Sequence, residues 1–145
     1  MPDTPKHSVS VAGVVVDDRG RILVIRRRDN AHWEPPGGVL ELSESLDAGV
    51  RREVMEETGV AVAVERLTGV YKNMARGIVA VVFRCTPLSA GASTTAEATD
   101  VRWVDPGEVA ELMDPAYAVR VTDALGDDPP AVRQHDGVHL LARPT

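Results

Sequence analysis

The stretch RREVMEETGV (residues 51–60) carries glutamates at positions 53, 56 and 57. Read as a helix, it sets Glu53 three residues from Glu56 and four from Glu57, so all three carboxylates share one face. Each like-charge pair at that spacing costs a helix roughly 0.2–0.5 kcal/mol, so such a face needs an offset from elsewhere. The helix is well punctuated. Ser45 suits an N-cap, Asp47 in the first turn suits the helix dipole, and Gly59 suits the position just past the end. Leu46, Val50 and Val54 recur every four residues as an apolar stripe, with the glutamates away from its centre. Gly49 inside the helix costs about 1 kcal/mol relative to alanine, which points to close packing there.

Before this helix, DNAHWEPPGG (29–38) reads as a loop and GVLEL (38–42) as a short extended piece. SVSVAGVVVD (8–17) and RILVIRR (21–27) read as strands, and the turn DDRG (17–20) between them predicts a hairpin over 8–27. Residues 1–7 read as a loose, flexible tail. After the helix, AVAVERLTGVYK (61–72) and GIVAVVFRC (77–85) are strands joined by NMAR, followed by a small-residue loop over 87–99. VRWVD (101–105) is a strand. Asp105-Pro106-Gly107-Glu108 starts a helix as a near capping box with proline at N1. Asp114-Pro115 starts another helix, ending near Gly126. Residues 126–137 read as a loop and VHLLA (138–142) as a last strand. This pattern predicts an α+β fold, a mostly β sheet or barrel packed by helices, as a single domain over 8–145.

The chain has 145 residues, 43% hydrophobic and 26% charged, which suits one domain with a real core. Aromatics make up only 3%, so valine, leucine and alanine must fill that core. With 22 acidic and 16 basic residues the net charge is −6, which argues against a nucleic-acid partner. Cys85 is the only cysteine, so no internal disulfide forms and a reduced, cytoplasmic setting is expected. No secretory signal or membrane-spanning run is read.

Gly38 is followed after five residues by Glu44, and after seven more by Arg52-Glu53-Val54-x-Glu56-Glu57-x-Gly59-Val60. This resembles the complete Nudix box, Gly-x5-Glu-x7-Arg-Glu-U-x-Glu-Glu-x-Gly-U, with U a bulky aliphatic residue. A chance match at every specified position in a chain this long has a frequency on the order of 10⁻⁸. The resemblance implies the Nudix fold, a mixed sheet or partial barrel sandwiched by helices. It also implies a MutT-like, metal-dependent pyrophosphohydrolase in which water attacks a phosphorus of a nucleoside diphosphate linked to a group X. ADP-ribose or another nucleotide sugar is the first reading for the substrate. An oxidised nucleoside triphosphate, as in MutT-type members, is the second. A non-catalytic nucleotide-binding module is the reading from another class, opposed because no box carboxylate is missing. An RNA-directed hydrolase is opposed by the net charge.

A face of carboxylates suits hard cations that take oxygen ligands, Mg²⁺ first and Mn²⁺ next. Such ions neutralise the glutamates and screen the charge of a diphosphate. The resemblance assigns Glu53, Glu56 and Glu57 to the metal, with a backbone carbonyl from Gly38 or Gly37. It makes Glu53 the general base, or the ligand that orients the water, and makes Glu97 a further catalytic carboxylate. Glu44 and Arg52 form a structural ion pair, with Gly38 and Gly59 as the glycines of the box. The chain departs from the family's usual approach at Pro35, where an apolar residue is common. Arg27 is the candidate for a substrate phosphate, and Trp33, Tyr71 and His32 for stacking on a base or sugar. Trp103 and Cys85 read as core, and His135 and His139 lack metal-ligand spacing. Many relatives in the family pair, so a homodimer is one expectation, although no apolar stripe in the sequence marks an interface.

Overall fold

The computed structural model describes residues 3–89 and 98–143, the side chain of Thr99 apart. Along the chain run β1 (Ser8–Val15), β2 (Ile22–Arg27), β3 (Trp33–Glu34), β4 (Gly37–Val39), α1 (Leu46–Thr58), β5 (Val62–Asn73), β6 (Ile78–Pro87) and β7 (Ala98–Val104). A 3₁₀ turn (Pro106–Glu108) then leads into α2 (Val109–Leu112), α3 (Pro115–Leu125), β8 (Ala131–His135) and β9 (Leu140–Leu141). The strands make a six-stranded sheet in the order β4-β1-β6-β5-β8-β9 and a three-stranded sheet in the order β3-β2-β7.

β1 explains the architecture. Residues 11–15 are all buried, because both faces of the strand are covered. Alternation is hidden inside the apolar run. Val11 and Val15 pack with Val50 and Val54 of α1, while Ala12, Val14 and Val16 pack with Met113, Val121 and Ala124 on the α3 side. The sheet thus lies between two helical layers with a core on each face. Gly13 on the α1 side leaves no room for more, since a Cβ there would meet Val54, Cys85 and Val50 at 3.1–3.3 Å.

The hairpin expected over 8–27 does not form. β1 pairs parallel with β6 and antiparallel with β4, while β2 pairs with β3 and β7 in the other sheet. Only the Val16–Ile22 bridge joins the two strands. The DDRG turn is made, with Gly20 at φ 76°, but it hands the chain from one sheet to the next. The loop expected over 126–137 contains β8, which runs parallel to β5, and the last strand shrinks to residues 140–141.

Candidate active site

Pairing of β4 with β1 places Gly37 opposite Ala12 and Gly38 opposite Val11, against α1. The approach is close. A Cβ on Gly37 would sit 2.5 Å from the Val11 carbonyl oxygen, and one on Gly38 would sit 2.6–2.7 Å from the carboxylate of Glu53. The Gly37 N–H donates to Glu57 Oε1 at 2.8 Å. Strand and helix therefore meet through the glycine pair on one side and two glutamates on the other.

Glu53 and Glu57 are 7% and 2% exposed, whereas the side chain of Glu56 is 45% exposed. Burial pushes the Glu57 carboxyl well above the usual range; the Gly37 N–H opposes this and the neighbouring Glu53 adds to it. Arg52 ties the face together. Its Nε and Nη2 donate to Glu44 at 2.9 and 2.5 Å, and Nη2 also donates to the Val39 carbonyl at 3.1 Å. Its Nη1 donates to Glu53 at 2.7 Å and to Glu56 at 3.2 Å. This bidentate fork holds the Glu44 carboxyl down at about 2. The glutamate face is thus offset in part by a cation from its own helix. Gly59 closes α1 at φ 74°, its N–H on the Met55 carbonyl.

The donor set fits a hard divalent cation. Two buried carboxylates press on each other beside a glycine stripped of its side chain, an arrangement that a cation relieves. Among the described residues no three acidic, histidine or cysteine side chains are yet drawn into one cage. Glu56 is the third oxygen donor within reach of the face, held by a 3.2 Å bond to Arg52.

Two hollows share the Gly37-Gly38 wall. One, of about 420 Å³, is lined by Glu53, Arg27 and Arg28. The other, of about 260 Å³, extends from Arg27 and Glu34 past Tyr117 and Arg120 to His135. Arg27, a wall of both, bonds Asp29 at 3.0 and 3.2 Å and Glu34 at 3.1 Å. Trp33 has one ring face covered by Arg102, 4.8 Å from the centroid. His32 is exposed, 3.8 Å from Asp114. Cys85 is buried, as read from the sequence, while Trp103 is only partly buried and packs at the rim of the α1-side core.

The stacking role expected of Tyr71 does not suit its position. The side chain is fully buried, its hydroxyl donates to Asp123 at 2.7 Å, and Arg120 covers its ring. Glu97 lies outside the described residues. The sequence reading missed Arg120 and His135. Arg120 had a signal, since it interrupts the stripe Ala116, Arg120, Ala124 on the buried side of α3. His135 had none, because its strand was read as loop.

A helix of buried carboxylates against a Gly-Gly strand, in a mixed sheet between helical layers, defines the class of Nudix-type hydrolases. A family model described as NUDIX domain matches residues 6–125, and the chain belongs to that family. A MutT-like protein of Streptomyces ambofaciens is 59% identical over 94% of this chain and 89% of its own length. A Bacillus subtilis protein named for 8-oxo-dGTP diphosphatase activity is 30% identical over 76% of this chain and 74% of its own. An ADP-ribose pyrophosphatase of Methanocaldococcus jannaschii is 35% identical over 52% of this chain and 48% of its own. A crystal structure of a NUDIX hydrolase from Nitrosomonas europaea superposes with a TM-score of 0.78 at 19% identity, covering 91% of this chain and 81% of that one. By membership the protein is an enzyme, a hydrolase of the nucleotide pyrophosphatase class.

Proposed function

We propose that this enzyme cleaves the diphosphate of a nucleoside diphosphate linked to X, using Mg²⁺ or Mn²⁺ held by Glu53, Glu56 and Glu57 with a backbone carbonyl from Gly37 or Gly38. The observation that carries the reading is the pair of buried carboxylates, Glu53 and Glu57, against the Gly37-Gly38 strand. The bound cation supplies charge neutralisation at the phosphoanhydride. Glu53 accepts a proton from the attacking water, whose oxygen forms the new P–O bond as the bridging P–O bond breaks, leaving two phosphorylated fragments. Arg52 positions Glu53, and the Gly37 N–H positions Glu57. Arg27, on the wall shared by both hollows, meets a phosphate of the substrate. The further catalytic carboxylate of this reading is Glu97, which it takes from the sequence alone.

A nucleotide-sugar substrate of the ADP-ribose kind is the first reading, supported by the pyrophosphatase relative. A MutT-type triphosphate is the second, supported by the relatives named for MutT and 8-oxo-dGTP. A panel of ADP-ribose, UDP- and GDP-sugars, dinucleoside polyphosphates and normal and oxidised (d)NTPs, with products identified by mass, separates them. Glu57→Gln keeps the size and the bond from Gly37, and lowers metal-dependent turnover by about 10²-fold or more. Full turnover by this variant, or nucleotide binding by the native chain with no turnover in either metal, overturns the proposal.

A further inference from the structure

We propose that Arg120 and His135 are the specificity-determining pair of this site. They read a carbonyl oxygen on the substrate's nucleobase, so that oxo-bases are taken in preference to their amino counterparts. This rests on the nucleotide hydrolase reading above and narrows its base: among the substrates named there it favours a nucleotide sugar or triphosphate with an oxo-base over ADP-ribose itself.

Arg120 is 8% exposed, with its guanidinium 5.2 Å from the Tyr71 ring centroid and 4.6 Å from that of Tyr117. Among the described residues no carboxylate or carbonyl bonds it, and its Nε has neither partner nor solvent. Other arginines that are part-buried behave differently. Arg27, Arg52 and Arg133 each fork onto carboxylates, and Arg66 and Arg84 bond carbonyls at the end of α3. Glu34 attracts this guanidinium without hydrogen-bonding it, so the charge is compensated while its Nε donor is left for a ligand to complete.

His135 is 1% exposed. The Gly137 N–H donates to its Nδ1 at 3.0 Å, so the neutral ring carries its proton on Nε2. Nε2 also has no partner. Burial and the facing Arg120 depress the imidazole pKa against the pull of Asp136, which keeps the ring neutral and the tautomer fixed. Its ring lies 6.0 Å from that of Tyr117, so both orphan donors flank one tyrosine.

Both residues line the 260 Å³ cavity, which shares Gly37, Gly38 and Arg27 with the hollow beside Glu53. A nucleotide whose diphosphate lies at that shared wall places an attached group against Tyr117. Two donors that no protein acceptor reaches call for an accepting group at that end of the cavity. A sugar hydroxyl brings a donor of its own. The arginine that meets a phosphate, Arg27, stands at the shared wall, whereas Arg120 already faces the opposite charge of Glu34. A base carbonyl offers two lone pairs and no proton. An amino group at that end would set donor against donor and leave Arg120 Nε and His135 Nε2 unmatched.

Inosine and adenosine monophosphates differ only along one base edge, a C6 carbonyl beside N1–H in the first and a C6 amino group beside a bare N1 in the second, and test it without turnover. By isothermal titration the native protein binds the inosine nucleotide roughly tenfold or more tightly. Arg120→Met and His135→Asn, which keeps the acceptor for Gly137, each bring the two within about threefold. With Mg²⁺, inosine and adenosine triphosphates show the same ratio in KM, with kcat little changed. Equal treatment of the two nucleotides by the native protein in both measurements overturns the proposal, as does a preference that survives both variants. Arg120-dependent binding of inorganic phosphate alone also overturns it, in favour of an anion subsite. No turnover of any nucleotide, with the inosine preference intact in binding, would instead sink the catalytic reading and leave this one standing.

Discussion

A methyl group at residue 38 would reach the Glu53 carboxylate, while one at residue 37 would reach the Val11 carbonyl oxygen and the Ala12 Cα, at 2.5 and 2.8 Å. What must yield differs. A carboxylate on a flexible stem can swing away, so Gly38→Ala folds and melts within a few degrees of native while activity falls by about 10²-fold through a misplaced Glu53. Backbone cannot swing, so Gly37→Ala costs about 1–3 kcal/mol of stability, read as a lower denaturant midpoint. The Glu44–Arg52 fork has a pH signature. The Glu44 pKa is depressed in the folded state, so its contribution is present above the ordinary 4.5 and is lost as pH falls toward about 2. The stability gap between native and Glu44→Gln should therefore be constant near neutrality and close across that acid range. These residues were legible in the sequence because the chemistry demands fixed types at fixed spacing on one helix and its approach. Arg120 and His135 were not assembled from sequence, because they come from α3 and β8 and meet the Gly-Gly strand only through the sheet order.

Elements were legible where local signals agreed with tertiary needs. α1 shows this. Ser45 caps it, its hydroxyl oxygen accepting the Ala48 N–H at 3.2 Å, and Gly59 ends it in the left-handed region. Ser45→Ala should cost about 1 kcal/mol in thermal or denaturant unfolding, with the active-site carboxylates unmoved. β1 and β2 were legible as strands but not in their pairing, since a turn signal does not say whether its flanks share a sheet. β8 was hidden between DDPP and Asp136-Gly137, with Val132 its single strong strand former, and that residue is exposed. The sheet supplies the order that its own sequence lacks, through parallel pairing with β5. A consequence at this scale is the titration of β8's last residue. The folded pKa of His135 lies below its ordinary 6.5, so stability is full above 6.5 and declines as pH falls below it. His135→Asn removes that decline, which melting curves between pH 5 and 7.5 would reveal.

Across the whole molecule, one carboxylate holds α3 to the sheet. Asp123 accepts the Tyr71 hydroxyl at 2.7 Å from β5 and two bonds from Arg133 of β8 at 2.8 Å each. Asp123→Asn keeps the shape but discards the charge-assisted bonds, and should cost about 1.5–3 kcal/mol in unfolding experiments. A larger effect on nucleotide affinity than on turnover should accompany it, because α3 carries Tyr117 and Arg120 into the cavity. The same long-range ordering shapes the birth of the protein. Ser8 pairs with Ile78 and Val15 with Cys85, so during synthesis β1 finds its parallel neighbour only after a second strand some seventy residues later has emerged. Through that interval its run of valines is a sticky, unsatisfied edge on the nascent chain. A stalled polypeptide that has extruded residues 1–75 should therefore be cut readily by protease and recruit chaperones, and should become resistant only once β6 has cleared the exit tunnel and α3 has followed it.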